Sequence, residues 1–179
     1  MTTDPSIVKL NNVRLSFPTL FEPKSFQGGA PKYSATFILD KKTNAAEIKA
    51  INDAIKAVVA EKFKGKAPSN LKVALHEGNE KEHLDGYGEG TMYISTSCDK
   101  RPTVVNRDLT PLAADDNVLF AGCYVNATIR LWGQDNQFGK RVNAQLRAVQ
   151  YYKTGEAFGD KPVDATSEFT AVADEEGVV

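Results

Sequence analysis

Two neighbouring stretches hold most of the residues able to do chemistry on a ligand. In Cys123–Trp132 the apolar residues Cys123, Val125, Ala127, Ile129 and Leu131 alternate with Tyr124, Asn126, Thr128, Arg130 and Trp132. In Lys140–Tyr152, Val142, Ala144, Leu146 and Ala148 alternate with Arg141, Asn143, Gln145 and Arg147. A period of two is that of a half-buried strand. The turn-rich segment Gly133–Gly139 between the two predicts a hairpin. Its outward face would offer two large aromatics, three arginines and several amides, with no carboxylate on either strand. An ordinary solvated face mixes both signs. Rings stack nucleic-acid bases at about 1–3 kcal/mol each, while Arg and Lys neutralise phosphates. Guanidinium groups can stack on bases as well. This is chemistry suited to single-stranded nucleic acid. The same composition also fits a structural or protein-interaction module whose aromatic–basic face is covered by a second subunit.

Further cations and rings fall where loops would lie near that face. Lys100 and Arg101 follow an expected strand directly, and Arg107 comes shortly after. Lys24 and Lys32 flank Gly28-Gly29, while Phe26, Tyr33, Tyr93 and Phe138 are aromatics at or near loop edges. With Lys32 and Lys140 they extend a groove. Phosphate contacts are expected from Lys100, Arg101, Arg107, Arg130, Arg141 and Arg147. Tyr124 and Trp132 are the expected stacking platforms, with Tyr33, Tyr93 and Phe138 as secondary ones.

Signatures of catalysis are weak by comparison. His76, His83, Cys98 and Cys123 have no finger-like spacing, so neither a metal nor a cofactor is expected. Gly86-x-Gly88-x-Gly90 precedes a strand instead of opening a helix, the wrong context for a phosphate loop. The carboxylates between Glu77 and Glu89 could hold magnesium in a nuclease. No base or positioned lysine accompanies them, and no triad is evident. The expectation is a protein that is not an enzyme.

The elements that must position these residues are mostly strands. Val13, Leu15 and Phe17 alternate with Arg14 and Ser16, whereas Val8 and Leu10 run in the opposite phase, so Asn11-Asn12 marks a bulge or turn. Tyr33, Ala35, Phe37 and Leu39 form a second strand, and Met92, Ile94, Thr96 and Cys98 a third. Ile48, Ile51, Ile55, Val58, Val59 and Phe63 recur at helical spacing, with Asn44 and Glu47 resembling a capping box and Gly65 just past the end. Residues 66–90 read as irregular, with a short strand at Leu71–Leu75. The expected fold is mainly β: a five-stranded barrel like the oligonucleotide-binding (OB) fold, with one inserted amphipathic helix over about 44–64.

Charge divides the chain. The whole sums to −1, but residues 1–159 carry +4 and residues 160–179 carry −5. The expected organisation is a binding domain over 1–159 and a disordered acidic tail over 160–179. Near-neutral total charge excludes a histone-like basic coat protein without excluding a nucleic-acid binder. Two cysteines signal no disulfide framework, and MTTDPS has no signal-peptide character, so a cytosolic protein without a membrane segment is expected.

Ordered phrases over roughly 14–170 resemble a family of phage single-stranded-DNA-binding proteins. They are Phe17-Pro18-Thr19-Leu20-Phe21, Lys32-Tyr33, Arg101-Pro102-Thr103-Val104-Val105, Gly122-Cys123-Tyr124 and Val149-Gln150. The resemblance implies an OB barrel related to the replication single-strand binders of short-tailed phages, acting in the cytoplasm of the infected bacterial host. It also implies an acidic tail that competes with DNA for the groove and contacts phage replication proteins. Asp174, Glu175 and Glu176 would serve as a mobile phosphate mimic, with Phe169 the tail's only aromatic. The chain departs from the usual pattern by ending in Gly177-Val178-Val179, not in an aromatic. Phosphate contacts discriminate poorly, so duplex DNA stands beside the single strand as an expected partner.

Overall fold

Residues 4–25, 29–137, 139–158 and 169–172 are described in the computed structural model. Five long strands make the body: β1 (Ile7–Lys24), β2 (Lys32–Asp40), β5 (Thr91–Cys98), β7 (Tyr124–Asn136) and β8 (Gly139–Lys153). Three short strands, β3 (Lys72–Val73), β4 (Leu75–Glu77) and β6 (Thr103–Val105), are added at the margins, and α1 (Ala45–Lys62) joins β2 to the segment leading to β3. The long strands form an antiparallel ladder in the order β8-β7-β1-β2-β5. A parallel bridge between Ser97 and Gln145 joins β5 back to β8 and closes the barrel. The fold is thus the expected five-stranded barrel with one helix. No helix among the described residues is long and apolar enough to cross a membrane.

Alternation along the strands fills the interior. Leu10, Val13, Leu15, Phe37, Leu39, Ile94, Val125, Ile129 and Val142 are all wholly buried. Burying a side chain of that size stabilises the fold by about 1.5–3 kcal/mol. α1 lays Ile51, Ala54 and Val58 against the barrel. Its C-terminal turn comes so close to β7 that a Cβ on Gly133 would lie 2.7 Å from Lys62 Cγ. Glycine at 133 therefore sets the approach of helix to barrel.

The Asn11-Asn12 bulge forms as expected. The β1–β7 register shifts between Leu10 and Val13, which returns Val8, Leu10, Val13 and Leu15 to one interior face. Asn12 takes a positive φ of 54° and its N–H donates to Asn126 Oδ1 at 2.9 Å. The Asn44 amide donates to the carbonyl of Asn11 at 3.1 Å, so the bulge is tied to the helix start.

Four local expectations are corrected. Phe17 does not continue the interior row: a second shift follows Ser16, Phe17 has φ of 46°, and its ring is 56% exposed. The predicted capping box does not form. Asn44 Oδ1 accepts from the N–H of Asp40 at 3.0 Å, and its amide donates to Glu47 Oε1 at 3.2 Å. Gly133–Asn136 are strand and not turn, since they pair with Val142, Arg141, Lys140 and Gly139. That extension also brings a carboxylate, Asp135, onto the hairpin. Finally, the β7–β8 register shifts between Thr128↔Ala148 and Ile129↔Leu146. Arg147 is the extra residue, Val149 turns inward, and Ala148 moves to the outer face with Thr128.

Candidate nucleic-acid interface

The outer face where β7, β8 and β5 meet is open. Trp132, 44% exposed, stands between two adjoining grooves that share Lys32, Ser97 and Trp132 as lining residues. The first, of about 520 Å³, is walled by α1 through Val58, Glu61 and Lys62 and by Arg130 and Gln145 of the hairpin. The second, of about 390 Å³, is lined by Ser95, Gln134, Asn136, Arg141 and Asn143. One ring, cations at both ends and a floor of hydroxyls and amides thus lie along a single channel. Asn143 donates to Gln134 Oε1 at 2.8 Å, and Gln134 donates to Asn136 Oδ1 at 3.1 Å, which fixes the amides of that floor. Such a surface can stack a base on Trp132 while neutralising flanking phosphates.

The chain already supplies an anion here. Asp4 Oδ2 lies 3.5 Å from Arg130 Nη2. The N–H and hydroxyl of Ser6 both donate to Asp4 Oδ1, at 2.9 and 2.5 Å. These hydrogen bonds, with Arg130 and Arg147 nearby, hold the Asp4 carboxyl below the usual carboxylate range. The N-terminal segment thus sets a carboxylate against Arg130, in addition to Asp135 at the far end of β7 and to Glu61 and Asp99 along the first groove. Ser6 is itself fixed, because its carbonyl accepts from the N–H of Leu131 at 2.8 Å.

Of the residues singled out in the sequence, Lys32, Arg130, Trp132 and Arg141 are brought together in this channel. Lys140 is exposed beside it and pairs in register with Asp135. Arg147 is exposed at the β8 bulge, near Asp4. The other described candidates are placed elsewhere. Tyr33 is half-buried and packs against the core. Tyr93 is 4% exposed and stacks on His76, so it offers no open face. Lys100 and Arg101 are exposed after β5, with Arg101 over the ring of Phe21 at 5.4 Å. Arg107 is exposed and sits 5.8 Å from the ring of Tyr152. Tyr124 lies eight residues before Trp132 on the same strand, on the order of 25 Å away. Its ring is already flanked by Arg14 at 5.5 Å and Lys153 at 4.8 Å. Phe26, Phe138 and the tail residues Asp174, Glu175 and Glu176 lie outside the described residues, whereas Phe169 is described and 74% exposed.

Several contributors to the channel are not among the candidates the sequence offers, among them Lys62, Ser95, Ser97, Gln134 and Asn136. The serines were legible as the outward parity of the strand holding Ile94, Thr96 and Cys98. Lys62 was not, since only the docking of α1 brings it to Trp132. Cys98 borders the first groove, and both cysteines are buried. Burial pushes both thiols up from their usual range, with Asp99 adding to the effect at Cys98.

The sequence pattern of the family described as Enterobacter phage Enc34, ssDNA-binding protein, matches residues 6–179. The chain belongs to this family. It is 32% identical to the single-stranded DNA-binding protein from bacteriophage Enc34 solved in complex with ssDNA, with a TM-score of 0.77 over 86% of this chain and 90% of that one. It is also 41% identical to protein p50 of Acyrthosiphon pisum secondary endosymbiont phage 1, covering 94% of this chain and 96% of the relative. With gp2.5, a single-stranded DNA binding protein encoded by bacteriophage T7, it shares the fold at 15% identity, with a TM-score of 0.56 over 93% of this chain and 98% of that one. The matched span takes in every phrase from Phe17 to Gln150.

Proposed function

We propose that this chain binds and coats single-stranded DNA, without strong sequence preference, during phage DNA replication and recombination in the infected bacterial cell. The observation that carries this reading is the open channel at Trp132, with Lys32, Arg130 and Arg141 around it. Every base has a π-face, so a ring between cations accepts any of them. Membership of a family with an ssDNA-bound relative favours nucleic acid over a second subunit as the occupant. Lys62, Lys100, Arg101, Arg107, Lys140 and Arg147 serve as flanking phosphate contacts. Duplex DNA engages the same cations more weakly, since it cannot offer an unstacked base.

Trp132 is the chain's only tryptophan, so its fluorescence reports the site directly. Titration with oligothymidylate should change the emission, and raising salt should weaken the binding. Binding that leaves the emission unaltered would remove Trp132 from the contact surface.

The acidic tail acts as a competitor for the channel and as a contact for phage replication proteins. Residues 154–158 are held against the barrel: Phe158 N–H donates to the carbonyl of Ala121 at 3.0 Å, and Arg14 Nη2 to that of Glu156 at 2.7 Å. From that anchor, residues 159–179 could span on the order of 70 Å if extended. A barrel of this size has a radius of gyration of about 16 Å, so the tail can reach any part of it. A tethered anion acts at high local concentration, which makes even a weak contact effective. Removing residues 160–179 should tighten DNA binding most at low salt, where the tail is least screened. Equal affinities with and without the tail at every salt concentration would end that mechanism.

A further inference from the structure

The channel does not end at Arg141 and Asn143. Both residues, together with Ser95, also wall an adjoining groove of about 530 Å³ whose other side is formed by β3 and β4. Lys72 and His76 line that groove. His76 is the cross-strand neighbour of Tyr93. Their rings are 5.0 Å apart with 24° between planes, an offset stack. Behind this pair, Tyr87 meets Tyr93 edge-on at 5.3 Å and the Lys81 ammonium lies 4.9 Å from the Tyr93 ring. The Tyr93 hydroxyl donates to Glu80 Oε2 at 3.3 Å. Tyr93 is therefore fixed on several sides, while the His76 side chain keeps 38% of its surface accessible as the outermost ring. A platform already held in place costs a ligand little ordering entropy.

We propose that His76 is a second base-stacking platform of the single-strand site, backed by Tyr93, with Lys72 and Arg141 taking the phosphates between it and Trp132. The inference rests on the single-stranded-DNA reading and extends its path across β8 to β4. It also gives Tyr93 a role: the buried ring positions the exposed one. The far wall carries Glu77, paired with Lys41 at 2.6 Å, and Glu80, 3.6 Å from His76 Nδ1. Carboxylates there repel phosphate, so the path stops at His76.

The test uses the full chain and labelled oligothymidylates of about 4 to 16 nucleotides, the span of OB-fold site sizes. Wild-type affinity should continue to climb with length beyond the shortest oligomer that changes Trp132 emission. His76→Ala should bind short oligomers as wild type does and lose the later gain, about tenfold for the longest, in keeping with one lost stack. His76→Phe should restore it. Lys72→Ala, at an exposed position, should lower the salt slope by about one for long oligomers only. The proposal is overturned if His76→Ala follows wild type at every length, or weakens the shortest oligomers as much as the longest. It is equally overturned if Phe fails to restore the gain and the Lys72→Ala slope is unchanged. A Trp132 response with no His76 effect removes the second platform alone. Wild type binding no oligomer removes both it and the single-stranded-DNA reading.

Discussion

The two ends of β7 carry the same kinds of residue and meet different fates. At one end Trp132 stands between Arg130, Lys32 and Arg141, with open grooves on both sides. At the other end Tyr124 has the same outward parity and comparable cations, Arg14 and Lys153, but these already lie against its ring. Arg14 is further engaged, donating to the carbonyls of Gly122 and Glu156 at 3.0 and 2.7 Å and lying 4.4 Å from the ring of Phe158. One aromatic–cation set is thus available to a ligand, and the other fastens residues 154–158 to the barrel. Residue type gives the capacity to bind, and whether the chain uses that capacity on itself decides the function.

Removing the rings should separate the two ends most sharply. Trp132→Ala is expected to weaken single-stranded DNA binding by about 1–3 kcal/mol with little change in melting temperature. Tyr124→Ala should lower the melting temperature, at about 0.5–3 kcal/mol of stability, and leave DNA affinity nearly unchanged. Paired oligomer titrations and thermal melts measure both, and an affinity loss at Tyr124 equal to that at Trp132 would break the comparison.

The cations offer a smaller but cleaner contrast. Arg130→Gln and Arg141→Gln should each reduce the slope of log affinity against log salt by about one. Arg14→Gln should leave that slope where it is and loosen the 154–158 segment, seen as faster amide exchange at Phe158. The smallest effect belongs to the carboxylate beside the channel. Asp4→Asn should tighten DNA binding by up to about fivefold at low salt, the range of an exposed ion pair, and by less as salt rises. In an Arg130→Gln background the gain should vanish. If it persists there in full, Asp4 acts through general charge and not through Arg130.

Much of this was written locally in the chain. The period of two along Cys123–Leu131 and Met92–Cys98, the helical stripe from Ile48 to Phe63 and the split of charge between residues 1–159 and 160–179 need only neighbouring residues to be read. The two periodicities prescribe the barrel strands, the helix and the strand that presents Trp132. The bulge at Asn11-Asn12 was legible for the same reason, as a change of phase within one strand. The bulge at Arg147 was not, because Val142–Ala148 keeps a regular alternation and only the pairing with β7 shows where a residue is added.

What tertiary structure alone decided is which outward residues stay outward. Tyr93 and Ser95 share a parity, yet the ring is covered by His76, Tyr87 and Lys81 while Ser95 remains open in the channel. Lys62 enters the channel because Gly133 lets α1 approach, and Asp4 arrives from the N-terminal segment to meet Arg130. Alternation is set by the backbone of a single strand, so sequence determines which face a side chain takes. Covering that face requires segments distant in sequence, and their arrival is fixed only when the barrel closes and its bulges and helix are packed.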